Sequence, residues 1–290
     1  MNGVVLVDKE RGMTSHDVVA RMRRIFGTRR VGHTGTLDPM AEGLLPVCIG
    51  NATRAAELMI TGDKRYTAVM ELGRRSDTLD IEGTITETHE VNVTEEEVRE
   101  AVVSFEGEYD QVPPMYSAIK KNGKKLYELA RAGLETEREP RRVRIYKAEI
   151  KDIALPYVTL DVRCSKGTYI RSLCDDIGTK LGCGAVMTAL RRTETSGFSV
   201  NDARRLGELE VMEDKSGAVI PTDRLFSELP ALRLNEKQER SIVNGVRMTW
   251  RSGGVDEGER CRLYGADGRF LCVSRFEDGK LVLVKSFWQG

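Results

Sequence analysis

Apolar runs and helical periodicities alternate along the chain, and their spacing predicts most of its elements. GVVLVDK (Gly3 to Lys9) is short, continuous and valine-rich, which predicts a strand. After a turn at Arg11-Gly12, Thr14 and Asp17 form a capping-box pair. Val18, Met22, Ile25 and Phe26 then recur at helical spacing, and Gly27 ends that helix. LLPVCIG predicts a strand, ATRAAELMI a helix and KRYTAVMEL another strand, followed by a loop, GRRSDTLDIEG. A second capping box, Thr94 with Glu97, precedes the apolar face of Val98, Ala101, Val102 and Phe105. RRVRIYKAEI and YVTLDVRCS predict two strands. TYIRSLCDDIGTKLG predicts a helix with Ile170, Leu173, Ile177 and Leu181 on one face.

Two regions break this rhythm. Residues 111 to 140 carry QVPPMYSAIKKNGKKLYELARAG, with prolines, lysines and tyrosines but no core periodicity, and read as an excursion with a short helix from Lys124 to Ala132. Leu206 to Arg224 is acidic and mixed. Beyond Pro230, strand-like runs alternate with the turn signals Asp267-Gly268 and Asp278-Gly279, predicting a small β-rich domain.

The length of 290 residues agrees with two domains. No apolar run is long enough for a membrane span, and MNGVVLVDKE turns charged too soon for a signal peptide. The six cysteines form no Cys-x-x-Cys pair, and there are three histidines. This predicts free, buried thiols in a reducing cytoplasm and no zinc site. Net charge is zero, but its distribution is not even. Ser76 to Asp110 holds twelve acids and one base, Gln111 to Lys147 ten bases and four acids, and Arg21 to Arg30 five arginines. Segregated basic stretches can meet phosphates in a neutral chain; solvated helix faces account for such clusters equally well.

Phosphate-loop, dinucleotide, zincin and nucleophile-elbow motifs are absent, which disfavours an ATPase, a dehydrogenase, a zincin and an α/β-hydrolase. The most unusual loop is GHTGTLDPMAEG, Gly32 to Gly43. Asp38 stands there before Pro39, which biases it to extended geometry; Asp-Pro is also an ordinary turn pair. A carboxylate can attack a sugar anomeric carbon, although glycosidases pair it with a second one. His33 in the same loop suits either a structural hydrogen bond or a function. Tyr66 opens a strand, where packing is the ordinary role. Arg171 near a helix start opposes the macrodipole, which favours an anionic partner. MYSAIKKNGKKLY interleaves rings with lysines, which suits RNA, whose unpaired bases stack on rings while lysines meet phosphates; a solvated, lysine-rich helix is the ordinary alternative.

In order, VDKERGMTSHDVV, RVGHTGTLDPMAEGLLPVCIGNATR, DKRYTAVMELGRRSDTLDIEG, QVPPMYSAIKKNGKKLYELARAG, CSKGTYIRSLCDDIGTKLGCGA and LRRTETSGF resemble the successive motifs of the bacterial TruB-type tRNA pseudouridine synthases, from Asn2 to about Phe198. The resemblance implies an α+β fold: a mixed, largely antiparallel central sheet flanked by helices. It also implies a thumb insertion at about 110–140 within a catalytic domain at 1–229, and a PUA-like domain at 230–290. The implied reaction isomerises the T-loop uridine of tRNA to pseudouridine without cofactor or metal. The target base must be flipped out to be reached.

By the same resemblance Asp38 is the catalytic aspartate. Arg171 is its ionic partner, which would favour the charged carboxylate. Tyr66 stacks on the target uracil, and Leu190 packs near it. His33 fills space left by flipped nucleotides, and Lys9 and Tyr169 support the site. Lys120, Lys121, Lys124 and Lys125 of the thumb meet phosphates of the T arm. A monomer, with a tRNA-folding role beside the chemistry, is implied as well. Three alternatives differ in testable ways. A guide-RNA-dependent synthase lacks this thumb, a non-catalytic RNA-binding protein needs no intact Asp38, Tyr66 and Arg171, and a glycoside hydrolase wants a second carboxylate.

Overall fold

The computed structural model describes residues 1–59, 62–121 and 123–288. In chain order the first part runs β1 (Gly3–Lys9), α1 (Ser15–Ile25), β2 (Val31–His33), β3 (Glu42–Ile49), α2 (Ala56–Met59), β4 (Lys64–Leu72), β5 (Arg74–Ser76), β6 (Ile85–Thr88), α3 (Glu95–Val103) and β7 (Gly107–Gln111). The excursion holds β8 (Lys120–Lys121), β9 (Lys124–Lys125) and α4 (Leu126–Arg131). The chain returns through β10 (Arg141–Ala154), β11 (Tyr157–Cys164), α5 (Ile170–Lys180), β12 (Ala185–Thr195), β13 (Phe198–Ser199), α6 (Leu206–Val211) and β14 (Ile220–Pro221). The last part holds β15 (Ala231–Arg233), α7 (Glu236–Val243), β16 (Met248–Thr249), β17 (Arg260–Tyr264), β18 (Phe270–Glu277) and β19 (Lys280–Ser286).

The fold is α+β. One ten-stranded sheet runs β14-β1-β3-β12-β4-β11-β10-β7, with β2 beside β3 and β13 beside β12. Its pairings are antiparallel except for the short parallel contact of β3 with β12. One sheet face is buried under α1, α3 and α5, whose Val18, Met22, Val98, Val102, Leu173 and Ile177 join the strand residues in the main core. Both predicted capping boxes form, at Thr14/Asp17 and Thr94/Glu97.

The valine run of β1 does not alternate in burial because both its faces are covered. Val5 and Val7 enter the main core, whereas Val4 and Leu6 meet Phe198, Val200 and Ile220 on the opposite side. β10 alternates over its first half, with Val143 and Ile145 buried and Arg142 and Arg144 exposed, as a strand with one solvated face does.

Two glycines permit close approaches that assemble this sheet. Gly43 has φ +99°, and a Cβ there would stand 2.3 Å from the Arg192 carbonyl oxygen, so β3 and β12 could not meet. A Cβ at Gly178 would stand 2.2 Å from the Ala185 amide, so α5 could not lie on the start of β12.

Several expectations change. The first four residues of ATRAAELMI belong to a 3-10 turn spanning Gly50–Ala55, the next four form α2, and Ile60 lies outside the described residues. The loop after β4 contains a ladder of its own, β5 with β6. The thumb helix is shorter than predicted, Leu126–Arg131. The last part has the two hairpins its turn signals predict, β17–β18 and β18–β19, but also α7, capped by Asn235 and Gln238. Its five-stranded sheet encloses a separate core around Leu263, Leu271 and Trp250. Phe226, Phe270 and Phe287 then pack it against Ala55.

Candidate active site

Asp38 lies between β2 and β3 in a loop held from several sides. Leu37, Met40 and Ala41 are buried, so the loop's apolar side chains plug into the core and leave the carboxylate outward. Ser15, at the start of α1, donates its hydroxyl to the Leu37 carbonyl (3.0 Å) and accepts the Leu37 amide (2.9 Å). Arg192 is 1% exposed and donates to three carbonyls, Leu44 (2.8 Å), Gly35 (3.1 Å) and Thr36 (3.3 Å). Lys9 donates its ammonium to the carbonyls of Met13 (2.7 Å), Glu10 (3.1 Å) and Pro39 (3.3 Å). A buried charge is tolerable only when its donors are satisfied in this way. Burial nonetheless lowers the Lys9 ammonium to about 8, although Asp38 and Glu42 pull it upward.

Arg171, near the start of α5, is 5% exposed. Its Nη2 lies 3.2 Å from the Asp38 carboxylate, itself 37% exposed, and donates to the Tyr116 carbonyl at 2.7 Å. Its Nη1 lies 3.5 Å from Asp80. Among the described residues the Arg171 Nε is buried without a hydrogen-bond partner. Asp80 is fixed in turn by the Thr78 hydroxyl (2.7 Å) and the Glu82 amide (3.1 Å). Leu79 before it has φ 65°, an uncommon conformation for a bulky residue, held by backbone bonds to Ser76 and Met187. Uncommon backbone of this kind gathers at functional sites, and here it sets the direction of Asp80.

A cleft of about 360 Å³ opens over Asp38 and Arg171. Tyr66, Lys64, Leu190 and Met187 line its sheet side, and Gly167, Thr168 and Tyr169 one edge. Tyr116, Ser117, Ala118 and Tyr127 of the thumb reach over it. Tyr66 is 6% exposed; burial pushes its phenol up to about 12, although Arg192 pulls in the other direction. Burial also raises Tyr169, with Ser117 and Arg171 opposing. The Tyr169 backbone is held at both ends by Gln111, whose Oε1 accepts its amide (2.8 Å) and whose Nε2 donates to its carbonyl (3.0 Å).

Asp38, Tyr66, Tyr169, Arg171 and Leu190 thus come together around one space. His33 and Lys9 do not line it. His33 lies on β2 with a buried Nδ1 that has no partner among the described residues. Its burial, with His16 and Arg192 nearby, pushes the imidazole below its ordinary value, toward the neutral form. The four thumb lysines lie away from the cleft on the β8–β9 ladder, where Lys120 and Lys124 are exposed. Lys121 donates to the Glu137 carbonyl and Lys125 to the Tyr127 hydroxyl. Asp80, Arg192, Lys64 and Ser15 were not singled out from the sequence. The second arginine of LRR and the last aspartate of SDTLD were its only traces of the first two.

A carboxylate paired with a buried guanidinium, in a cleft lined by tyrosines from the sheet and the thumb, suits base rearrangement on a polynucleotide. Fold and site together define a pseudouridine synthase. Residues 23–170 match the family model described as TruB family pseudouridylate synthase (N terminal domain), and 171–226 match tRNA pseudouridylate synthase B C-terminal domain. The tRNA pseudouridine synthase B of Alkaliphilus oremlandii is 48% identical over 248 residues, covering 86% of this chain and 83% of the relative. That of Clostridium kluyveri is 41% identical over 289 residues, covering 99% and 100%. Among solved structures, a chain from the crystal structure of a Cbf5-Nop10-Gar1 complex superposes with a TM-score of 0.76 at 26% identity, covering 99% of this chain and 85% of that one.

The chain belongs to the TruB family of pseudouridylate synthases, and its activity is tRNA pseudouridine synthesis. Among the described residues no helix is long and apolar enough to cross a membrane, and no cluster of potential metal ligands occurs.

Proposed function

We propose that the chain isomerises the T-loop uridine of tRNA, with Asp38 acting at the ribose of a flipped-out nucleotide. The observation that carries this reading is the 3.2 Å pairing of Asp38 with a buried Arg171 at the base of an open cleft. The N1–C1′ bond breaks, the uracil turns within the cleft, C5 bonds to C1′ and releases its proton, and N1 takes one up from solvent. Asp38 either attacks C1′ directly or takes part in removing the C2′ proton; both routes need an ionised carboxylate within reach of the sugar. Arg171 positions that carboxylate. Asp80 fixes Arg171 from the other side, so the guanidinium does not follow the substrate.

Tyr66 gives the uracil a flat surface, and Leu190 packs near it. With its phenol pushed up to about 12, Tyr66 stays protonated at neutral pH, so it serves as a stacking face and hydrogen-bond donor rather than a standing phenolate. Tyr169 supports the edge of the cleft. Lys9 acts through the loop, because its ammonium ties the Pro39 carbonyl next to Asp38 to the carbonyls of Glu10 and Met13. The neutral His33 suits the space left when loop nucleotides flip. Lys120, Lys121, Lys124 and Lys125 meet T-arm phosphates, residues 230–290 form a PUA-like domain, and the enzyme acts as a cytoplasmic monomer with an accompanying tRNA-folding role.

Tritium release from a T-arm stem-loop labelled at uridine C5, with no cofactor added, tests the proposal. Release at the T-loop uridine is expected. Release only from another site of tRNA would sink the T-loop assignment.

A further inference from the structure

Beside the cleft stands a group that the chemistry above does not use. β10 has a bulge between Ile145 and Lys147, so Tyr146 is left without a register partner on β11. Bulges re-aim side chains and occur next to active sites. Ile145 points into the core, whereas Tyr146 is 41% exposed. Two guanidiniums lie against its ring, those of Arg144 and Arg163, each 5.5 Å from the ring centre. Its hydroxyl bonds Asp63, which pushes the phenol above its ordinary value. Asp63 also takes the Arg163 guanidinium at 3.2 Å. Among the described residues Arg144 has no carboxylate partner.

The register sets Arg163 on the sheet face opposite the cleft-lining Lys64 and Tyr66, so this group approaches the cleft around two strand ends. Asp63 adjoins Lys64, which lines the cleft. Arg144 accepts the Ser165 amide (2.8 Å) and donates its own amide to the Ser165 hydroxyl (2.9 Å), two residues before the cleft-lining Gly167. Stability does not account for the arrangement. Exposed cation–π contacts contribute little, and like charges around one ring repel. An open ring with cations beside it suits an unpaired nucleotide, whose base stacks while its phosphates meet the guanidiniums.

We propose that Tyr146, Arg144 and Arg163 form a stacking platform, reached from the cleft around the strand ends, for an unpaired RNA nucleotide flanking the one held over Asp38. The proposal rests on the reading of the cleft given above. It extends the RNA contact to the solvated sheet face, opposite in kind to the lysine-rich thumb.

Binding of a T-arm stem-loop by variants of the full chain tests it. Tyr146→Leu should weaken binding on the order of 10-fold, with turnover at saturating RNA near wild type. Tyr146→Phe keeps the ring and should bind like wild type. Arg144→Gln should lower the salt slope of binding by about 0.7 to 0.9, the loss of one phosphate contact. An abasic residue at one flanking position should weaken the wild type and weaken Tyr146→Leu no further. Wild-type affinity of Tyr146→Leu would overturn the platform. So would equal losses in the Phe and Leu variants, which would put the role in the Asp63 bond. So would an abasic loss fully additive with Tyr146→Leu at every flanking position. Absence of T-loop tritium release in the wild type would instead refute the function proposed above, since the binding comparison does not depend on turnover.

Discussion

The base of the cleft and the thumb above it are built on opposite plans. At the base, the two buried arginines are tied to partners far away in sequence. Arg192 reaches Gly35 across 157 residues, and Arg171 reaches Asp80 across 91. In the thumb, order is local: Lys120 pairs with Lys125, and Tyr127 lies within 5.5 Å of both Lys125 and Arg131. Long-range ties fix a carboxylate to a fraction of an ångström, as chemistry requires. Local ties leave an element free to adjust to a polyanion. The two plans meet where Arg171 donates to the Tyr116 carbonyl and Ser172 to the Val112 carbonyl.

The largest effect should come from the base. Asp38→Asn keeps shape and removes charge, so tritium release should fall to background while stem-loop binding stays near wild type. Binding lost together with turnover would mean that Asp38 anchors RNA, and the division between the two regions would fail.

Arg192→Met is expected to lower stability by about 3 kcal/mol, because it leaves buried carbonyls without donors. The melting midpoint should drop by roughly 10 °C. Arg21→Met provides the contrast, since it removes a bridge to Glu210 between partly exposed side chains and should cost under about 1 kcal/mol. Equal shifts in the two variants would show that the loop is not braced as described.

Lys9 supplies a pH test of the same bracing. Its ammonium titrates near 8 in the folded chain and near its ordinary 10.5 when unfolded. Between these values the unfolded chain holds a proton that the folded chain has lost, so through this group stability rises with pH. Measured against Lys9→Met, the wild type should therefore gain about 1–2 kcal/mol between pH 7 and 9.5. Chemical denaturation of both at each pH reads this directly. A difference that stays flat or shrinks would mean that the ammonium keeps its proton through its three carbonyls.

The same contrast explains what was legible in the sequence. Strands, capping boxes and hairpin turns are local, and β4 falls on the predicted KRYTAVMEL without change. Asp38 stands out through its glycine-rich neighbourhood, but spacing alone does not separate it from an ordinary turn residue; the ordered series of motifs points to chemistry. Asp80 and Arg192 stayed hidden because their roles are spatial. A buried arginine that satisfies three carbonyls looks, in sequence, like the half-buried Arg191 next to it, which pairs with Asp8. α7 was missed because its capping pair, Asn235 with Gln238, stands among strand signals.

The smallest effects belong to the thumb, where they separate lysines that look alike in sequence. Lys120 and Lys124 are exposed, whereas Lys121 and Lys125 already donate to Glu137 and Tyr127. Lys120→Ala and Lys124→Ala should each lower the salt slope of stem-loop binding by about 0.7 to 0.9, with several-fold weaker affinity at moderate salt. Lys121→Ala and Lys125→Ala should change it less, because those ammonium groups must first give up a partner. Turnover at saturating RNA should not move in any of the four, since none lines the cleft. If Lys125→Ala slowed saturated turnover, the effect would run through Tyr127, which Lys125 holds and which does line the cleft. The thumb would then be part of the site's rigid frame, and the bond from Arg171 to Tyr116 would be one contact of a continuous wall.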